Sequence, residues 1–315
     1  MSSQYLSQNS SHPILTDYAN AVVGDDLAKL AGLADILAPR VGVYGRTFRH
    51  YTHDPKVQMQ VLNTRRAMGG KAKRVGFGID SVEKTLDTNG LDVVIDDAER
   101  RNAEGAPILA LEKRKIRALT TTAARSHLQS VVSIVDAGLS VAASGSGGVW
   151  STMTNDPIDE IDAEMKLIND ACGLFPTYVV MGLSAWVAFR KNDKVKARFT
   201  GVKRVAINLE DTQGLFLNPA AQVVIADQMY DAAGLGLAAS LTKLISAKVY
   251  LLANSPNPQE EDTSFAKTFF NLNTGMLQVG MPYRDGEARA DVYPTDWDSS
   301  IVVTNSVAGK KFNIT

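Results

Sequence analysis

The feature that most constrains this chain is a single long helical pattern. From 107 to 137, Ile108, Leu111, Ile116, Leu119, Ala123, Val131 and Val135 recur near one stripe, the period of a helix with one apolar face. At ~1.5 Å per residue such a helix is about 45 Å long, too long to be enclosed by one small domain. It therefore predicts a structural beam with other parts of the chain arranged along it. A chain of 315 residues suggests about two domains of roughly 150 residues each, and 45% apolar with 21% charged residues is an ordinary globular balance.

The best-punctuated passage lies downstream, at 156–199. Asp156 is placed to cap a helix, Pro157 suits its first turn, and Asp159 and Glu160 sit where the helix dipole favours anions. Ile158, Ile161, Met165 and Ile168 share one face, and Gly173 and Pro176 end the helix. Residues 178–181 read as a short buried strand, and Ser184 is placed to cap a second helix carrying Trp186, Val187 and Phe189.

The rest divides by composition. Residues 1–13, rich in Ser, Gln and Asn, predict an arm, and a helical pattern from Asp17 through Leu37 ends at Pro39. Val57, Met59 and Val61, then Val75, Phe77 and Ile79, alternate with other residues as strands flanking a basic link at 65–70. A two-stranded ribbon of this kind is marginal alone and must lie on the body or on a neighbouring copy. Residues 138–151 form a Gly/Ser-rich connection; strands are expected at 203–207, 221–227, within 241–252, at 301–304 and at 311–314, with loops at 254–262 and 284–287. The start has no basic segment leading into an apolar core, and no run of about 18 apolar residues occurs, so neither a signal-bearing nor a membrane-spanning chain is expected.

A net charge of -1 hides segregated blocks. Residues 40–74 hold nine basic groups against Asp54 alone, a local +8, whereas 80–104 and 156–170 each carry -5. Blocks of opposite sign steer association and set register between copies. Within them Arg65, Arg66, Lys71, Lys73 and Arg74 are the candidate steering residues, with Glu160, Asp162 and Glu164 as candidate recipients. The basic group could also meet nucleic acid, but only Phe77 is at hand for stacking.

Reactive chemistry is sparse. His50, His53 and Asp54 lack a third strong ligand, so no metal is assigned. Ser144-Gly145-Ser146-Gly147-Gly148 lacks the Lys and Ser/Thr of a phosphate loop, and Gly234-Leu235-Gly236 lacks the later glycine of a dinucleotide fingerprint; no cofactor is assigned. The single Cys172 excludes an intramolecular disulfide and reads as a buried thiol with no His nearby in sequence. A soluble enzyme using the 144–148 loop or Cys172 is the rival of a different class.

The order of elements resembles the major capsid proteins of tailed bacteriophages, with the HK97-like fold. The resemblance covers most of the chain. It is carried by the acidic lead-in DDAERRNAEG at 96–105, the long helix, GLFPTYVVMGLSAWVAFRKNDKVKARF at 173–199, NPAAQVVIADQMYD at 218–231 and DTSFAKTF at 262–269. It implies an α+β chain divided into an N-terminal arm (1–40), an extended β loop (41–95), a peripheral domain with a spine helix (96–180), an axial domain (181–270) and C-terminal strands returning to the peripheral domain (271–315). The implied function is non-enzymatic: self-assembly into pentamers and hexamers of an icosahedral head around double-stranded DNA. The virion capsid is then its location, after assembly in the host cytoplasm. The implied partners are other copies of the chain, a separate scaffolding protein in view of the short arm, a portal, a decoration protein, and packaged DNA by non-specific contact. No Lys to Asn cross-link falls on matched residues. An encapsulin-like compartment, which shares the fold and holds protein cargo, is the nearest alternative.

Overall fold

The structure, a computed structural model, describes residues 11–21, 25–52, 59, 61–66, 68–72, 74, 80–102, 108–143, 150, 155–199, 208–234 and 236–314. The expected strands at 75–79 and 203–207 lie outside these residues, as do most of 57–61 and the arm before Ser11. Met59 and Val61 are described and are not in a strand.

In chain order, α1 (Pro13–Ala21) and α2 (Asp25–Leu37) lead into β1 (Arg40–Val43), β2 (Thr47–Tyr51), β3 (Ser81–Thr85) and β4 (Asp87–Asp96). Short α3 (Asp97–Asn102) precedes the long α4 (Ile108–Gly138), whose 31 residues match the predicted beam. Then come β5 (Ser140–Val141), α5 (Pro157–Cys172), β6 (Tyr178–Gly182), α6 (Leu183–Lys191), α7 (Asp193–Phe199), α8 (Leu209–Gln213), β7 (Gln222–Ala226), β8 (Met229–Asp231), β9 (Leu241–Lys243) and β10 (Lys248–Leu252). The chain closes with β11 (Ala266–Asn271), β12 (Gln278–Val279), β13 (Tyr283–Asp285), β14 (Ala290–Val303) and β15 (Gly309–Asn313). No helix among the described residues is long and apolar enough to cross a membrane.

Two compact units form. The first comprises 1–48, 85–134 and 268–302; the second comprises 49–84, 135–267 and 303–315. Two of the boundaries that the resemblance implies fall within strands. A division after Val180 would cut β6, which pairs on both sides inside the second unit, and one after residue 95 would cut β4.

In the first unit, β14 pairs antiparallel with β4 from Ala290↔Asp96 to Ser299↔Asp87, and β1 runs parallel to β11. The inward residues Val93, Ile95 and Tyr293 pack with Leu15 and Ala19 of α1 and with Ile116 and Leu119 of α4. A second cluster joins Val41, Val43, Phe48, Leu86, Phe269 and Val302. An ionic lattice closes one end: Arg284 pairs with Asp97 and Asp291, and Arg100 reaches Asp291 at 2.6 Å.

The second unit is built on the sheet β5-β15-β10-β6-β7. Central β6 and β10 are nearly continuous apolar runs, as strands covered on both faces require. The α5 cap forms as predicted: Asp156 Oδ1 accepts from the Ile158 N–H at 3.2 Å, and Gly173 takes the left-handed φ of 70° that ends the helix. Ile158, Ile161, Met165 and Ile168 are fully buried. The cap expected from Ser184 is not made. The N-cap of α6 is Gly182, without a side-chain hydrogen bond, and Ser184 instead meets the Ser246 hydroxyl at 3.2 Å. A side chain at position 182 would run into the Ser246 carbonyl, so only glycine permits this strand-to-helix corner.

Candidate functional site

Among the described residues of the excursion between β2 and β3 none is buried. Its root is fixed: Phe48 lies 4.4 Å, centroid to centroid, from Phe269, and the Leu86 N–H donates to the Arg46 carbonyl at 2.8 Å. The described strands β2 and β3 pair next to this root. Thr52 N–H still reaches the Asp80 carbonyl at 3.0 Å, and Arg49 meets Glu83 at 3.4 Å. Residues 61–66 then carry no regular structure, and Gly69, at φ 76°, turns the chain back.

Arg65, Arg66, Lys71 and Arg74 are all exposed on this excursion, and none has an acceptor for its charged group among the described residues; Lys73 lies outside them. Within the same excursion Val61 and Met68 are 96% and 104% exposed.

The three acids predicted as recipients are held inside their own unit. Glu164 is fully buried and its Oε1 accepts from the Ala143 N–H at 2.8 Å, so it does not reach the surface as expected; its inward position on α5 turns it to the core. Glu160 accepts from Trp150 Nε1 at 2.8 Å, and burial pushes its carboxyl up, with Asp156 adding to the effect and Trp150 opposing it. Asp162 accepts from the Leu217 N–H at 2.7 Å and is likewise raised mainly by burial. These carboxylates lock α5 to its surroundings.

A pair of exposed acids without a counter-charge among the described residues lies in the first unit. Asp92 on β4 and Asp296 on β14 lie close enough that Asp92, with Asp298, raises the Asp296 carboxyl beyond what its burial does alone. Neither Asp92 nor Asp296 has a donor among the described residues. Sequence reading counted Asp92 within one acidic block but missed its partner, about two hundred residues away. Only the β4–β14 register brings the two together, with Pro294 opposite Asp92 and Gly90 opposite Asp296.

Reactive chemistry finds little footing. Cys172 is buried, donates to the Ile168 carbonyl at 3.1 Å and has its thiol pushed up by burial, all unfavourable to a thiolate nucleophile. His50 is buried on β2 and pushed down by desolvation, while His53, Asp54 and the 144–148 loop lie outside the described residues. No group of three metal-binding side chains occurs among the described residues.

No family model and no curated protein sequence matches this chain. Solved structures do. A phage-related protein from Bordetella bronchiseptica RB50 is similar over 96% of this chain and 97% of its own, at 20% identity and a TM-score of 0.73. The capsid of a native GTA particle is similar over 94% and 92%, at 14% identity and 0.55. The holo-SrpI encapsulin complex from Synechococcus elongatus PCC 7942 is similar over 87% and 84%, at 12% identity and 0.50.

Proposed function

We propose that this chain, whose fold is HK97-like, is the structural subunit of a closed protein shell, the major capsid protein of a phage head that encloses double-stranded DNA. In this reading copies assemble into pentamers and hexamers, with a scaffolding protein and a portal as assembly partners, and the finished shell is the virion capsid. The observation that carries the reading is the excursion between β2 and β3: exposed Arg65, Arg66, Lys71 and Arg74 beside exposed Val61 and Met68 on a segment with little core of its own. Such a segment is stabilised by lying on another copy, and the β4–β14 face with Asp92 and Asp296 has the complementary charge. Lys73, within the same basic stretch, is assigned to this contact too.

Electron microscopy of the purified chain tests the proposal. Wild-type protein should form closed particles of uniform size, and reversal of Arg65, Arg66 and Lys71 to Glu should leave a folded subunit that does not assemble. Normal shells from that variant would sink the assigned contact; small discrete oligomers from the wild type would sink the shell itself. Uniform shells filled with a protein cargo and free of nucleic acid would move the assignment to an encapsulin-like compartment.

A further inference from the structure

The exposed face of α4 has a charge pattern that neither the helix core nor the proposed subunit contact uses. From Lys113 to Val135 the helix carries five basic residues, Lys113, Arg114, Lys115, Arg117 and Arg125, and no acidic one. The flanking acids are engaged elsewhere: Glu112 accepts from the Tyr293 hydroxyl, and Asp136 accepts from Lys248 and Tyr250, each at 3.0 Å. The two lysines are engaged too, Lys113 over the Tyr18 ring and Lys115 with Glu99 at 2.7 Å. Arg114, Arg117 and Arg125 are exposed, with no acceptor among the described residues.

At ~100° per residue these three guanidinium groups fall within an arc of roughly 80°, and the exposed polar side chains of Ser126, Gln129 and Ser133 extend the face along about 28 Å of helix from Arg114. The face therefore offers forked cations and neutral hydrogen-bonding groups with no carboxylate among them, the set that contacts phosphate oxygens irrespective of base sequence. An acidic protein would instead need apolar anchors to dock on a helix face. Between Arg114 and Ser133 the exposed surface offers only Ala118 of that kind.

We propose that this face of α4 binds the phosphate backbone of double-stranded nucleic acid, which, resting on the shell reading above, makes it a surface turned toward packaged DNA. The contact is electrostatic and sequence-independent, so its signature is its dependence on salt.

The test uses full-length chain held below its assembly concentration and a 30-base-pair duplex of mixed sequence, with affinity read by fluorescence anisotropy across a salt series. Replacing Arg114, Arg117 and Arg125 with Gln should weaken binding roughly tenfold or more at 0.1 M salt and reduce the magnitude of the log K against log salt slope by about 2 to 3. The corresponding Lys replacements should retain most of the affinity. An unchanged slope and affinity in the Gln variant would overturn the proposal, and so would polyglutamate competing as strongly as DNA at equal charge, which would assign the face to an acidic protein. Particle formation is scored separately by microscopy. Wild-type shells together with undiminished DNA binding by the Gln variant overturn only the DNA assignment, whereas wild-type chain that never closes shells overturns only the shell reading.

Discussion

Two side chains show how single residues are committed either to the subunit or to its surroundings. Lys267 is fully buried, yet its ammonium is surrounded by the carbonyls of Gln259, Glu260 and Asp262 at 2.7, 3.0 and 2.8 Å and by the Asp262 carboxylate at 2.9 Å. Removing the cation takes the donor from three carbonyls and the counter-charge from Asp262, so Lys267→Met should cost about 3 to 5 kcal/mol in urea denaturation. A loss under 1 kcal/mol would mean that the loop at 259–262 does not depend on this cation. Asp296 is the opposite case. Burial, then Asp92 and Asp298, raise its carboxyl above the ordinary 3.8, so the fold disfavours its charged form. That penalty is present above the folded pKa and absent below 3.8, where the group is protonated in both states. Asp296→Asn should therefore stabilise the subunit slightly at pH 7, by ~0.5 kcal/mol or less after solvent screening. Thermal melts should show the advantage vanish below pH 4. The same variant should weaken assembly, because the charge it removes is proposed to meet the basic excursion of the next copy.

At the scale of elements, the C-terminus of α5 joins cap chemistry to the excursion. Gly173 is left-handed, and a Cβ there would also meet the methyl of Met59. Gly173→Ala should cost about 1 kcal/mol for the backbone alone and more for the collision. Adding Met59→Ala should recover the second part and leave the first; a double variant no more stable than the single one would show that the excursion does not rest on this helix end. Elements with local signals were legible in sequence: α4 and α5 because periodicity and caps are written within a few turns, and β6 and β7 because short apolar runs sit between turn residues. The 14-residue β14 was legible only at its end, around 301–304, since Pro294 and alternating acids such as Asp296 disguise its centre. Its partner β4 lies about two hundred residues earlier, and no local pattern encodes that register. The site was half legible for the same reason. The basic group shows as a run of charge, but the acidic pair proposed as its counterpart exists only after β4 and β14 pair, and the three acids chosen from α5 accept hydrogen bonds from Ala143, Trp150 and Leu217, none of them in that helix.

For the whole molecule, near neutrality conceals a segregation of charge that suits the proposed association. With 33 basic and 34 acidic residues the chain has almost no net repulsion between copies, while the +8 of residues 40–74 remains available as a local attraction. Exposed charge of this kind governs encounter and register more than final affinity, and screening shortens its reach from about 10 Å at 0.1 M salt to about 3 Å at 1 M. Assembly followed by light scattering should therefore slow as salt rises, before the shells themselves become unstable. A charge exchange gives the sharper result. Arg65→Glu with Arg66→Glu should block assembly, and Asp92→Lys with Asp296→Lys should block it as well. If the two surfaces meet between copies, the chain carrying all four changes regains complementary signs and should assemble faster than either double variant, a coupling that independent surface defects would not produce. Additive failure in the fourfold variant, with its subunit still folded, would mean that the basic excursion docks on a surface other than the β4–β14 face.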